Sequence, residues 1–360
     1  MLLPGKWFMP TDNAEQIAEW NGVLGQTWAT MRRDIDPVVA TFGDAALTVA
    51  APRPGERVLD IGCGCGDTTI ALARIVGNRG AALGVDVSQP MLDVAQAHAR
   101  DVGMRQLEFR QADASRAVFP PDYDLLFSRF GVMFFSEPAA TFRHLRKSLK
   151  AGARCVFVCW RAPRDNAWAM APLAAARAAM DVTPPPADPN TPGPFAFADD
   201  ARVRAILVDA GFADIDVTRH DAPVAYGVTP RAAAERALRV GPVSRFARDM
   251  GDAHRPRILD AVEQAFAKLA APDGQVNLVG SAWIVTAHGM ARKYPAPRTR
   301  RRRSRGPPPR LAAYATSRLD RCVFGDDKPA CAKCSVHCRS ADKREPDCAA
   351  MRYAGNFIFG

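Results

Sequence analysis

Residues 58–66 read Val-Leu-Asp-Ile-Gly-Cys-Gly-Cys-Gly, and they are the part of this chain best suited to chemistry. Residues 58–61 have the apolar continuity of a buried parallel strand, and the glycines that follow allow a sharp turn with the backbone close to a ligand. A dinucleotide site places G-x-G-x-x-G at a helix N-terminus to meet a pyrophosphate. Here the spacing is G-x-G-x-G, and Asp60 stands two residues before the first glycine. A carboxylate there repels phosphate and suits an ammonium. Asp86 ends the next apolar stretch, where it could accept both hydroxyls of a ribose, and Asp113 follows a third, residues 107–111, where it could accept from an adenine amino group. Three acidic strand ends converge on one adenosine-like molecule that carries an ammonium, as S-adenosylmethionine does.

These residues, with others in order, resemble the class I S-adenosylmethionine-dependent methyltransferases over about residues 12–290. Residues 60–66 match the family's first motif, Asp86 its ribose-binding acid, 111–114 (Gln-Ala-Asp-Ala) its adenine-side segment and 123–128 (Tyr-Asp-Leu-Leu-Phe-Ser) its fourth strand; residues 145–160 match the helix, turn and fifth strand. The resemblance implies an α/β fold: a doubly wound, seven-stranded Rossmann-like sheet whose last strand is antiparallel, with a helical cap. It implies cofactor contacts at Asp60, Gly62, Cys63, Gly64, Gly66, Asp86, Val87, Asp113, Ala114 and Ser128. It also implies that the segment before the first strand, with Trp20 and Trp28, folds across the methyl donor. An NAD-binding reading is disfavoured by the glycine spacing.

The acceptor side is less defined. Ligands of open α/β sheets bind at the carboxyl ends of strands, and residues 128–135 (Ser-Arg-Phe-Gly-Val-Met-Phe-Phe) stand after the fourth strand. There Arg129 could hold an anionic or carbonyl-bearing acceptor, and Phe130 and Phe134 could wall an apolar one. The Asn-Pro-Pro-aromatic signature of amino-methylating family members is absent at this position, and residues 1–290 contain no evident RNA-binding module. A small-molecule acceptor follows, with an O-, C- or N-nucleophile all compatible. No catalytic base is assigned: His98 and His144 are expected to face solvent, while His220 and His254 lie nearer the cap. Cys63 and Cys65 read as small turn residues, and Cys155 and Cys159 as core residues on one strand face.

Periodicity places the supporting elements. Residues 1–50 form a helical segment over the cofactor site and 51–291 the methyltransferase domain. Pro90 opens a helix whose apolar face carries Leu92, Ala95 and Ala99; Phe142, Leu145 and Leu149 share another face before a stop at Gly152. Further helices are expected at 166–180 and 199–211, strands at 212–218 and 282–287, and a helical insertion at about 225–272 with an apolar stripe of Ile258, Val262, Phe266 and Leu269.

Charge divides the chain. Its 360 residues carry a formal +10, yet residues 291–360 hold 17 Lys and Arg against 6 Asp and Glu, which leaves the first 290 near neutral. Residues 292–310 have too little apolar content to fold and read as a disordered basic linker; the arginine-rich run 298–310 could contact nucleic acid weakly through phosphates. Residues 311–360 are cysteine-rich. Cys331 and Cys334 have metal-knuckle spacing, and Cys322 with Cys338 (or His337) could complete a tetrahedral zinc site. Segments within 311–355 resemble a small bacterial family labelled "nitrous oxide-stimulated promoter", without the cysteine pair that family has upstream. An alternative function is therefore a cofactor-sensing regulatory protein that binds nucleic acid through this tail. No apolar run approaches the ~18 residues of a membrane span, and residues 1–10 are too short and mixed for a signal peptide, so a cytoplasmic location is expected. Oligomeric state is not legible.

Overall fold

A computed structural model describes residues 13–183 and 191–289. The expectations for the linker 292–310, the cysteine-rich tail 311–360 and the set Cys322, Cys331, Cys334 and Cys338 lie outside the described residues.

Seven strands form one sheet: β1 (Arg57–Ile61), β2 (Ala81–Asp86), β3 (Leu107–Gln111), β4 (Tyr123–Arg129), β5 (Leu149–Trp160), β6 (Phe212–Gly227) and β7 (Val276–Gly289), in the order β3-β2-β1-β4-β5-β7-β6. β7 runs antiparallel to both of its neighbours; the other pairings are parallel. From β1 the chain steps outward to β2 and β3, then returns to lay β4 on β1's other side. That reversal opens a crevice at the carboxyl ends of β1 and β4.

Local sequence explains the flanking helices. Before β1 come α1 (Ala14–Asn21), α2 (Val23–Thr30) and α3 (Arg32–Ala50). α4 (Asp67–Val76) buries Ile70, Leu72, Ala73 and Val76 and follows the glycine loop directly. α5 (Gln89–Val102) has proline in its first turn and ends at a left-handed Gly103, the two signals that start and stop a helix. α6 (Pro138–Leu145), α7 (Ala167–Ala179) and α8 (Asp200–Asp209) follow, the last capped by Asp199, whose carboxylate accepts from the Arg202 amide at 3.1 Å. Between β6 and β7 stand α9 (Pro230–Ala237), α10 (Pro242–Met250) and α11 (Arg255–Ala267). Phe42, Phe127, Phe142, Phe157, Phe197 and Phe266 are the large, fully buried side chains of the core.

Four expectations need correction. β6 continues nine residues past 218, through Pro223. Proline weakens the strand reading, but β6 is the sheet edge, where a missing N–H breaks no ladder. β7 starts at Val276 rather than 282 because it pairs with this longer edge, Gly227 opposite Val276. Leu149 belongs to β5 rather than to the preceding helix, and Gly152 lies inside that strand with φ 72°. Ile258, Val262 and Phe266 are buried on α11 as expected, but Leu269 lies beyond its end and is exposed.

Candidate functional site

Asp60 is fully buried near the carboxyl end of β1. Its Oδ2 accepts from the hydroxyls of Thr68 and Thr69, both at 2.7 Å, at the start of α4. Its Oδ1 is buried and has no partner among the described residues. Burial pushes the Asp60 carboxyl up to about 6, against the pull of the two threonines and of Arg129. A buried acceptor left unpaired is costly, and a cationic donor would satisfy it. An ammonium therefore fits this residue, and a phosphate does not.

Asp86, ending β2, accepts from the Gly64 amide at 2.8 Å through Oδ2 and from the Ser88 amide at 2.9 Å through Oδ1. Burial raises its carboxyl from the ordinary value, opposed by those amides. Each oxygen keeps a lone pair for a hydroxyl donor. The carbonyl of Val87 accepts from Asn21 at 2.8 Å and from Gln111 at 3.1 Å. Asp113, past the end of β3, accepts at Oδ1 from the Ser115 amide at 2.9 Å and from Asn13 at 3.2 Å, and Ala114 is buried beside it. These acids thus stand at the ends of three adjacent strands, β1, β2 and β3.

The glycines serve the protein's own packing as well. Gly62 has φ 68°, and a Cβ there would lie 2.7 Å from the Gly131 Cα; a Cβ on Gly66, φ 88°, would lie 2.5 Å from the Phe109 ring. Cys63 and Cys65 are buried between them, with thiols raised by burial, that of Cys65 to about 12. Cys155 and Cys159 are likewise buried and raised. Among the described residues no group of His, Cys, Asp and Glu is placed to hold a metal.

Ser128 is buried and uses its hydroxyl inside the fold, donating to the Ile61 carbonyl at 2.7 Å and accepting from the Gly131 amide at 3.3 Å. It ties β4 to the end of β1. Arg129 pairs with Asp36 of α3 at 2.6 Å, so its charge is already neutralised. Phe130 has φ 57°, rare for a bulky residue, and stacks on Trp160 with ring centroids 4.1 Å apart. Phe42 meets Phe130, Trp160 and His220 edge-on. Trp20 packs edge-on against Phe134 at 5.2 Å and against Trp28 at 6.0 Å, so one tryptophan reaches the loop after β4 and the other braces it.

His98 and His144, expected to face solvent, are half-buried. Arg32, which also grips Asp67, donates to His98 Nδ1 at 2.9 Å, and His144 Nε2 lies 2.8 Å from the Ala117 carbonyl. Charged and backbone partners on neighbouring elements draw both rings in. His254 is exposed in the turn before α11, and His220 is half-buried on β6 against Phe42.

Sequence reasoning passed over Asn21, Thr68 and Thr69. The threonines carry a faint signal, two adjacent hydroxyls just past the glycine loop, eight and nine residues after the acid; Asn21 carries none, since its partners lie 66 and 68 residues away.

Residues 58–152 match the family described as "Methyltransferase domain". The chain carries a methyltransferase domain. Beyond this domain, residues 294–359 match the family described as "Nitrous oxide-stimulated promoter", a match that begins within the stretch read above as a linker. Two curated relatives of the methyltransferase domain are 2-phytyl-1,4-naphthoquinone methyltransferase of Synechococcus elongatus, 34% identical over 120 residues (33% of this chain, 52% of the relative), and the uncharacterized methyltransferase YcgJ of Bacillus subtilis, 34% identical over 140 residues (38% and 54%). The chain spans about half the length of the curated relatives it matches. The crystal structure of Bacillus subtilis YcgJ superposes with a TM-score of 0.47 at 19% identity, covering 69% of this chain and 98% of that one.

Proposed function

We propose that this chain transfers a methyl group from S-adenosylmethionine to a small-molecule acceptor. The observation that carries the reading is the orphaned, buried Oδ1 of Asp60 beside two further acids at the ends of β2 and β3. When bound, the sulfonium cofactor supplies an electrophilic methyl group; the protein supplies placement and electrostatics. Asp60 holds the ammonium, Asp86 and the Val87 turn the ribose, and Asp113 with Ala114 the adenine. Gly62, Cys63, Gly64 and Gly66 shape the loop around them, and Ser128 fixes that loop to β4. Trp20, Trp28 and Phe134 exclude water over the donor. The acceptor occupies the side of the crevice bounded by Arg129, Phe130 and Trp160. Arg129 is paired with Asp36, so it orients Asp36 and the loop rather than capturing an anion, and the aromatic rings favour an uncharged, apolar acceptor. A quinone-like ring, as in the name of the Synechococcus relative, fits that description.

Calorimetry with S-adenosylhomocysteine tests the donor site. Asp86→Ala removes the ribose acceptor and is expected to weaken binding by ~1–3 kcal/mol; unchanged affinity removes Asp86 from the site. For the tail, the Cys331-x-x-Cys334 spacing supports zinc held with Cys322 and Cys338, and the run 298–310 supports weak phosphate contact. Thiols of this kind fit the reducing cytoplasm.

A further inference from the structure

Three consecutive residues at the end of α1 fasten three different parts of the molecule. Asn21 donates to the Val87 carbonyl at 2.8 Å and accepts from the Gln89 amide at 3.0 Å, bolting α1 to the turn that follows Asp86. The Trp20 carbonyl accepts from the Ser88 hydroxyl at 2.6 Å in the same turn, while its ring meets Phe134 after β4. Glu19 accepts from Arg245 on α10, 226 residues along the chain. A second contact follows the same line: Arg236 of α9 donates to the Asp34 carbonyl at the start of α3.

α10 has the construction of a hinged element. It is bracketed by Gly241 (φ 94°, ψ −168°) and Gly251 (φ 87°, ψ 157°), a backbone region that essentially only glycine occupies. Val243 and Ala247 are its only fully buried residues, and it packs chiefly on α7. Both ends can therefore swivel with little disturbance to the core. The Glu19 and Arg245 side chains are 28% and 58% exposed, and such pairs are weak and screened by salt. A contact of that strength forms and breaks readily.

We propose that Glu19, Trp20 and Asn21 couple the donor turn to α10, so that occupancy of the donor site favours closure of α10 onto the end of α1. The inference rests on the donor-binding reading above. A molecule bound at Asp86 steadies the 86–88 turn, Asn21 and Trp20 then hold the end of α1 in place, and Glu19 presents a fixed carboxylate to Arg245. By linkage the effect is reciprocal: a closed α10 slows escape of the donor. Glu19 and Arg245 are positioning residues and touch neither reactant.

Hydrogen exchange of the full chain, with and without saturating S-adenosylhomocysteine, tests this. In the wild type the ligand is expected to slow exchange at 242–250 several-fold. Glu19→Arg should still bind the ligand yet lose that slowing, and Glu19→Arg with Arg245→Glu should regain it. Arg245→Gln serves as the milder break if a charge reversal does not fold, and 1 M salt should mimic it in the wild type. Ligand binding without slowing at 242–250, or slowing that survives in the single variants, overturns the coupling. Absence of any ligand binding to the wild type overturns the donor reading and the coupling with it.

Discussion

Asp60 is the residue where the needs of folding and of the proposed donor binding conflict. Its carboxyl rises from 3.8 to about 6 through burial. At ~1.4 kcal/mol per unit, the ionised form is about 3 kcal/mol less favourable in the folded chain than in the unfolded one. The sign follows from proton binding. The folded state holds the proton more tightly, so this contribution is fully present below the unfolded value near 4 and is lost as pH rises through about 6. The ligand-free protein is expected to lose stability across that window, and a cationic ligand at Asp60 to restore it. Asp60→Asn keeps the shape without the charge. It should flatten the stability profile between pH 4 and 6 and raise the melting temperature at pH 8, while weakening S-adenosylhomocysteine binding; thermal melts over pH in both variants read the outcome, and an unaltered profile would exclude Asp60 as its source. Residues 62 and 66 show a related point: their missing side chains make room for Gly131 and Phe109, and so the loop's shape is set by its protein neighbours before any ligand arrives.

At the scale of elements, the N-terminal helices are built onto the turn after β2 through one tight crossing. Gly25 is buried on α2, and a Cβ there would lie 1.9 Å from the Trp20 carbonyl oxygen and 2.6 Å from the Ser88 hydroxyl. In an exposed helix, glycine to alanine would stabilise by ~1 kcal/mol. Here the collision is with backbone, and overpacking of this kind costs ~1–3 kcal/mol. Gly25→Ala is expected to loosen α1 and α2 selectively: faster hydrogen exchange over 13–30 and weaker donor binding, with β1, β4 and β5 still protected. Uniform exchange across the molecule would contradict the crossing. The sheet's far side follows a different logic, since Pro223 in β6 is tolerated only because that strand is an edge.

Across the whole molecule, charge and chemistry are separated along the chain. The basic excess lies after residue 290, while Asp60, Asp86, Asp113 and the aromatic wall all belong to the part before it. No helix among the described residues is long and apolar enough to cross a membrane. Ending the chain after residue 290 leaves β7 complete at Gly289. The shortened chain is expected to bind S-adenosylhomocysteine with unchanged affinity. Elemental analysis should find zinc only in the full chain, and salt-dependent retention of single-stranded nucleic acid should be lost with the tail. Zinc remaining after truncation, or retention indifferent to ionic strength, would refute the assignments made to 298–310 and to the four cysteines.

Most of the crevice was legible from sequence because its signals are local. A buried strand ending in Asp60, a glycine-rich turn and an acid closing the next strand each occupy a few consecutive residues, and alternating strands and helices prescribe a doubly wound sheet whatever else is attached. Arg129 and Ser128 were visible as residue types, but their partners, Asp36 and the Ile61 carbonyl, come from other elements, and only folding reveals that their polar groups are already engaged. The same holds for Asn21 and Glu19, whose roles depend on residues tens to hundreds of positions away. Short-range pattern therefore pointed to the ligand proposed for the crevice. Long-range packing alone decided which side chains remain free to meet it and which are spent holding the crevice together, because a hydrogen bond depends on proximity in space and sequence periodicity does not encode distant proximity.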